Sequence, residues 1–246
     1  FQNPDLTEEE KQKLMIELQL IGEQFAQEQQ LSPENKEIIL AAIAQIPREI
    51  KNNLPPKVIF DLETGSFKSE YFPLARAFDK IKLGNGPSDI TINIMANDSD
   101  EILVFKRSFD NGVCRGFIGP VAGYLNDVLG AETINDLIET NIFEQIGHEV
   151  GLKESKLKEV LSYKVIGLVD FDYPGKQNGV VVTARINLSK AEIFASIKEN
   201  QGQGIGKLAE KHPFFIPRAK ILSILADPDC HIASSHAVAI AATLGE

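Results

Sequence analysis

The chain has no tryptophan, two cysteines and two methionines among its 246 residues. Cys114 and Cys230 lie far apart, and two such cysteines cannot form the disulfide framework of a small secreted protein. A reducing compartment is therefore favoured, and we expect a cytoplasmic protein. The longest apolar runs, such as residues 237–242, are much shorter than the roughly 20 residues of a membrane-spanning helix. The sequence thus predicts no membrane span and no membrane partner.

Basic residues are too few to balance the acidic ones. The chain has 25 Lys and Arg residues against 35 Asp and Glu residues, which gives a formal net charge of −10 and a pI of about 5.0. This charge opposes binding to a phosphate backbone, so we expect no nucleic acid polymer as a partner. A small phosphorylated ligand is still compatible with it, because a bound divalent cation can reverse the local charge.

Helical periodicity dominates the first fifty residues. Thr7 and Glu10 have the spacing of a capping box, and the apolar pattern that follows predicts a helix over residues 7–30. Ser32 restarts a helix, and Pro47 disturbs it. An Asn- and Pro-containing break follows. We therefore predict a helical N-terminal extension over residues 1–53 and one further domain over residues 54–246.

The rest of the chain alternates between strand and helix patterns. Short apolar or alternating runs predict strands, and in one of them Ile90, Ile92 and Ile94 alternate with polar residues as if one face met water. The predicted strands cover residues 58–60, 90–94, 102–105, 113–118, 165–171 and 180–186, and the predicted helices cover residues 132–149, 189–199, 217–225 and 234–244. The order of strands and helices predicts α/β layers.

A glycine loop, a helical pattern and a glycine stop follow one another in residues 119–152, which read GPVAGYLNDVLGAETINDLIETNIFEQIGHEVGL. This layout resembles the Nudix box, G-x5-E-x7-R-E-U-x-E-E-x-G-U, where U is aliphatic. In that family the loop–helix–loop holds divalent cations against a diphosphate substrate. The resemblance covers about residues 88–226 and implies a Nudix-like α/β/α sandwich with a mixed sheet.

Two registers of this box are open. In the first, residues 144–152 match the last nine positions, and Gly130 and Asp136 take the first glycine and the first acidic position. In the second, Gly123 is the last glycine of the loop, and residues 130–133 open the helix. The second register needs four extra residues, about one helical turn, before Glu144.

The first register departs from the family at the chemically important positions. Glu144 stands at the arginine position, Gln145 at the first glutamate and His148 at the next, whereas Glu149 matches a metal-binding glutamate. The resemblance implies that Glu149 is catalytic and binds metal together with His148, Gln145 and Glu144. It also implies a divalent cofactor, Mg²⁺ or Mn²⁺, and the imidazole of His148 makes Zn²⁺ an alternative.

The faces of this helix follow from a rotation of about 100° per residue. Phe143, Ile146 and Val150 then share one face, and Asn141, Gln145 and His148 lie roughly opposite. We expect Glu149 at the border of the apolar face, where a carboxylate can reach a cleft. Three later carboxylates are candidates for a general base: Glu192, Glu199 and Glu210.

Two functions are compatible with these residues. The first is a metal-dependent Nudix hydrolase acting on a nucleoside diphosphate derivative or a similar small pyrophosphate, which Glu149 and the loop glycines favour. The second is a catalytically inactive Nudix-fold module that binds a nucleotide-like ligand or a protein partner. The replacements at Gln145 and His148 favour this second function, because an amide contributes no charge to a metal site.

Overall fold

The computed structural model describes most of the chain and divides it into two compact units. The described residues are 7–52, 54–61, 66–83, 85–107, 116–128, 131, 133–171, 177–202, 211–227 and 229–245. The first unit comprises Phe1–Ser88, Tyr124–Leu129 and Asp172–Asn178, and the second comprises Asp89–Gly123, Gly130–Phe171 and Gly179–Glu246. Cys114 and residues 113–115 of the strand predicted over residues 113–118 lie outside the described residues.

The first unit consists of helices and a two-stranded antiparallel sheet. Its elements are α1 (Glu8–Glu28), α2 (Pro33–Ile43), α3 (Ile46–Lys51), β1 (Lys57–Asp61), β2 (Ser66–Glu70) and α4 (Phe72–Lys80). The predicted caps are confirmed: Thr7 and Glu10 form a capping box, and Ser32 accepts a hydrogen bond from the Asn35 amide. Pro47 lies in the first turn of α3, so it begins a new helix where the sequence predicts a disturbance.

The core of the first unit joins α4 to the N-terminal helices. Ile39, Ile43 and Ile46 are buried together with Ala77 of α4, and Phe25 packs beside Phe78 with 5.5 Å between ring centroids. The domain boundary predicted after residue 53 stays a prediction. The first compact unit runs to Ser88 and includes α4, which covers the apolar faces that two amphipathic helices alone leave exposed.

The second unit is built on a seven-stranded sheet. Its strands are β3 (Asp89–Ala96), β4 (Glu101–Arg107), β5 (Ile118–Gly119), β6 (Val121–Tyr124), β7 (Leu161–Phe171), β8 (Gln177–Ile186) and β9 (Lys211–Pro217). The order is β5-β4-β3-β8-β7, with β6 paired to β3 and β9 paired to β4. β3 pairs in parallel with β8 and antiparallel with β4, so the sheet is mixed, as predicted.

Two helices of the second unit, α5 and α9, pack against β3. The helices of this unit are α5 (Ile134–Val150), α6 (Glu154–Val160), α7 (Lys190–Gly202), α8 (Ile221–Leu225) and α9 (Ser234–Ala242). The Asn93 side chain donates a 2.6 Å hydrogen bond to the Ala239 carbonyl of α9. Ile90, Ile92 and Ile94 are fully buried and point to the opposite face, and α5 also packs against β3. The predicted α/β class with its layered sheet is therefore confirmed.

The structure corrects two expectations about the strands. The half-exposed character expected for β3 is wrong, because Thr91 and Asn93 are buried together with the isoleucines. The sequence reading also missed β9, which pairs along the whole of β4 from Glu101↔Pro217 to Arg107↔Lys211. Prolines at residues 213 and 217 weaken the strand signal there. No helix among the described residues is long and apolar enough to span a membrane.

Candidate functional site

The helix of the Nudix-like segment, α5, is defined at both ends. Thr133 is its N-cap and forms a capping box with Asp136: the Asp136 amide donates to Thr133 Oγ1 at 3.2 Å, and the Thr133 amide donates to Asp136 Oδ2 at 3.0 Å. Gly151 ends the helix with φ +81°, a left-handed conformation that favours glycine. The helix predicted over residues 132–149 is confirmed, and both registers of the box are compatible with its bounds.

The C-terminal end of α5 is closed by α7. The Asn200 side chain donates a 3.2 Å hydrogen bond to the carbonyl of His148, one of the groups that a helix end leaves without a partner inside the helix. The approach is close, since a Cβ at Gly151 would lie 2.6 Å from the Asn200 Cβ. Residue 151 must therefore be glycine for both backbone conformation and space.

The loop before α5 touches the helix at Gln145. A Cβ added at Gly123 would lie 2.7 Å from Gln145 Cδ and 2.8 Å from Nε2, so the amide group packs directly on the glycine backbone. Gly123 is the loop glycine of the second register, and Gln145 is a predicted metal ligand of the first register. The contact between them joins the loop to the helix. Gln145 is half-buried in this position.

Glu149 lies inside the buried side of α5. Its side chain is 8% exposed, and Ile142, Ile146 and Val150 nearby are 0% exposed. The expected border position is wrong, and so is the expected outward position of Asn141, which is fully buried and donates to the Leu137 carbonyl at 2.9 Å. The reason is that α5 packs against both β3 and α7, so its buried side is wider than one apolar stripe.

The four predicted metal ligands do not share one environment. Gln145 and Glu149 are four residues apart, about 40° around the helix, and both lie on its packed side. His148 is exposed and Glu144 is half-buried, about 100° and 140° away from Glu149 around the helix axis. Gln145 and Glu149 thus lie on the packed side, whereas His148, about 60° from Gln145, faces solvent and Glu144 lies on another side of the helix from Glu149.

The described side chains do not fit a multi-carboxylate metal site. Within the described ranges, no group of three or more His, Cys, Asp and Glu side chains could hold a metal ion together. Cations in phosphoryl-transfer sites are held by one or two carboxylates together with waters and substrate phosphates, and each missing carboxylate weakens the site. The assignment of a metal to residues 144–149 therefore stays a prediction from the sequence.

The candidate general bases lie on the helix surface or outside the described residues. Glu192 accepts hydrogen bonds from the Ser189 hydroxyl at 2.7 Å and the Ser189 amide at 2.8 Å, and these bonds lower its pKa. It serves to begin α7, since the Glu192 amide donates back to Ser189 Oγ. Glu199 is exposed on the same helix, and Glu210 lies outside the described residues.

A row of buried polar groups runs along β3 and was not anticipated. Asp89, Thr91 and Asn93 point to one face of the strand, and Thr91 and Asn93 are 1% and 0% exposed. No described residue forms a hydrogen bond with Asp89 Oδ1, Thr91 Oγ1 or Asn93 Oδ1. Such groups cost free energy when they are buried without a partner. The alternation of residues 89–94, DITINI, is the signal in the sequence for this row, although such an alternation usually predicts a solvent-exposed face.

Asp89 is the ionisable member of this row. The residue is half-buried, but its Oδ1 atom is shielded from solvent. Burial raises the pKa of the Asp89 carboxyl from 3.8 to about 7, because the charged form loses hydration. Near neutral pH this carboxyl can therefore either donate or accept a hydrogen bond.

The second unit thus combines a mixed sheet between helices with a loop that contacts α5, a helix that ends at a left-handed glycine. This fold is Nudix-like. The Nudix-like fold is confirmed as predicted, while the roles predicted for individual residues stay predictions.

The chain is similar to solved structures of Nudix proteins at low sequence identity. No family model matches the sequence, and no curated protein matches it. The NUDIX domain of Shewanella oneidensis NrtR, solved with ADP ribose, is 14% identical over 63% of this chain and 84% of that chain, with a TM-score of 0.40. A NUDIX hydrolase from Alicyclobacillus acidocaldarius is 11% identical over 65% and 91%, with a TM-score of 0.43. The E. coli dihydroneopterin triphosphate pyrophosphohydrolase is 12% identical over 62% and 91%, with a TM-score of 0.40. At these values the likeness says nothing of substrate, metal or activity.

Proposed function

We propose that the Nudix-like unit binds a small nucleotide-like ligand and does not hydrolyse it. This is the second of the two functions that the sequence allows. The supporting observation is the composition of the packed side of α5 near its C-terminal end, where Glu149 is accompanied by the neutral Gln145. Glu144 and His148 lie on other sides of the helix, and the described residues supply no cluster of three metal-binding groups.

Charge explains why this composition disfavours hydrolysis. A diphosphate carries several negative charges, and cleavage of its anhydride bond requires a cation that neutralises them and an activated water in line with phosphorus. Glu149 is one carboxylate and Gln145 is neutral, so these two side chains offer little charge to a divalent cation, whose other ligands are waters and the phosphates of the ligand itself. Binding of a ligand does not need this apparatus.

The polar row on β3 supports a ligand that carries N–H groups. Asn93 Oδ1 and ionised Asp89 are hydrogen-bond acceptors, and the Thr91 hydroxyl can accept as well. A heterocyclic base has ring and amino N–H donors of this kind. The half-buried Asp89 lies at the beginning of β3 and is the most accessible of the three residues. In this proposal Asp89 contacts the ligand, and the buried Thr91 and Asn93 make the interior beside Asp89 polar.

The test combines calorimetric binding with product analysis. The ligands are ADP-ribose and a dinucleoside polyphosphate, each with Mg²⁺, with Mn²⁺, with Zn²⁺ and with a chelator. The wild-type protein is compared with Asp89→Asn, with Glu149→Gln and with the control Glu199→Gln, which removes one exposed charge from α7. We expect binding without product formation, about tenfold weaker binding in Asp89→Asn and little change in the other two variants.

Two results would contradict the proposal. Metal-dependent product formation that is lost in Glu149→Gln would show that the protein is a hydrolase with Glu149 as its metal ligand. The second result is that no ligand of the panel gives binding heat although circular dichroism shows an intact fold. This result would show that the protein binds none of these nucleotide-like ligands.

A further inference from the structure

No other described strand lies on the outer edge of β7, the strand at one end of the large sheet. It is 11 residues long, so it extends about 36 Å. In the sheet order it is the last strand, and among the described strands it pairs with β8 alone. Open edges of this length are uncommon in monomeric proteins, which shorten them, charge them or cover them to prevent pairing with another chain.

Apolar side chains on this edge strand are exposed. Tyr163 is 37% exposed, Val165 is 40% exposed and Leu168 is 47% exposed. Lys164 and Asp170 are the charged residues of the strand, and both are exposed as well. Exposure of apolar groups on both faces of one strand is expected where a further strand lies beside it in the assembled protein.

We propose that β7 pairs antiparallel with β7 of a second copy of this chain, with Gly167 on the two-fold axis. In this pairing, residues equally distant from Gly167 face each other. Val165 then lies opposite Val169, and Ile166 lies opposite Leu168 of the second copy. Lys164 lies opposite Asp170, and the two-fold symmetry produces this ion pair twice.

The charges select this register. When the axis is moved by one residue along the strand, to Ile166, Lys164 faces Leu168 and Asp170 faces Ser162. When the axis lies between Ile166 and Gly167, Asp170 faces Tyr163. Opposite charges across strands stabilise the pair, and a charge facing an apolar residue contributes nothing. The register centred on Gly167 is therefore the one that joins both charges and matches the apolar residues.

Gly167 itself fits the axis of such a dimer. A Cβ at this position would meet no atom within 4 Å, so the packing of one chain does not require glycine there. Glycine inside a strand weakens it and is typical of positions where another backbone approaches closely. Two copies of Gly167 facing each other explain its presence in the middle of β7.

The proposal is tested by charge exchange across the interface. The mass of the full chain in solution is measured by light scattering and sedimentation over a range of concentrations, for the wild type, Lys164→Asp, Asp170→Lys and the double variant Lys164→Asp/Asp170→Lys. Lys198→Asp, on the exposed side of α7, is the control with the same change of charge. A wild-type dimer has twice the chain mass of 27.1 kDa.

We expect each single variant to raise the dimer dissociation constant about tenfold or more, because like charges then face each other twice. The double variant restores both ion pairs and should return the constant to near that of the wild type, and the control should not change it. A wild-type protein of single-chain mass at its highest soluble concentration would overturn the proposal. So would a dimer that withstands both single variants, or one that the double variant does not restore.

Discussion

The Gln145 side chain packs directly on the backbone of Gly123, and this contact joins the loop before α5 to the helix itself. Any side chain at residue 123 would occupy the space of the Gln145 amide. The two residues come from different registers of the box, 22 positions apart in the chain. Their contact makes the position of the loop depend on the helix, so a change in one is transmitted to the other.

Gly123→Ala should destabilise the protein, since its new Cβ must displace the Gln145 side chain. The Gln145 amide is the far end of a flexible, half-buried side chain that can change rotamer, so we expect a loss of about 0.5–1.5 kcal/mol in the free energy of unfolding. Urea unfolding followed by circular dichroism measures it. Gly245→Ala is the matched control, because a Cβ there meets no atom within 4 Å. Equal stabilities for the two variants would show that the contact has no energetic weight.

Gly151→Ala should also destabilise, for a different reason. Residue 151 has φ +81°, and the added Cβ would lie 2.6 Å from the Cβ of Asn200. The left-handed backbone costs an alanine roughly 1–2 kcal/mol, and the displaced Asn200 also loses its bond to the His148 carbonyl. We expect a loss of about 2–4 kcal/mol in thermal or urea unfolding, larger than for Gly123→Ala. A loss below that of Gly123→Ala would contradict this account.

Asp89 should make stability depend on pH. Its pKa rises from 3.8 to about 7 on burial, so between these values the folded state binds more protons than the unfolded state. The free energy of unfolding therefore falls as the pH rises from about 4 to about 7, and the Asp89 contribution is at most roughly 4 kcal/mol. Above about pH 8, one unit beyond this pKa, the contribution of the group is constant.

The Asp89→Asn variant isolates this effect, because asparagine keeps the shape without the charge. We expect the difference in unfolding free energy between variant and wild type to move in favour of the variant through the same pH window. Urea unfolding at pH 4, 6 and 8 measures the difference. A difference that is the same at every pH would show that the Asp89 carboxyl titrates as in the unfolded chain.

The net charge of −10 predicts the behaviour towards DNA. Binding to a duplex would release few counterions, because a strongly acidic protein offers few cations to phosphates. We expect no salt-sensitive binding of duplex DNA, in which the logarithm of the association constant falls steeply as the logarithm of the salt concentration rises. Fluorescence anisotropy of a labelled duplex between low and physiological salt measures it, and tight binding with a steep slope would disprove the prediction.

Local signals in the sequence were sufficient for many elements. The capping boxes at Thr7 and Thr133 combine a hydroxyl with a carboxylate three residues later, and this interaction is complete within one helical turn. The glycine that ends α5 is likewise a local signal, because the left-handed conformation is a property of one residue. Such features depend on few neighbours and are readable from the chain.

Features that involve residues distant in the sequence are harder to predict from the chain. β9 pairs with β4 more than a hundred residues away, and its prolines hide it from a pattern search. β3 was read as half exposed, but α9 covers its polar side through the Asn93–Ala239 hydrogen bond. Whether an alternating strand meets water is determined by what packs on it, and that is not encoded in the strand.

The candidate site likewise combines local features that the sequence predicts with contacts that depend on the folded protein. A helix between glycines with one matching glutamate, the charge of the protein and the Nudix-like layout can be predicted from the chain, because they follow from composition and local periodicity. The burial of Glu149, the contact of Gln145 with Gly123 and the exposure of His148 depend on how the helix packs in the folded protein. Burial depends on the simultaneous packing of α5 against β3 and α7, and a periodic pattern along one helix holds information about only one apolar face.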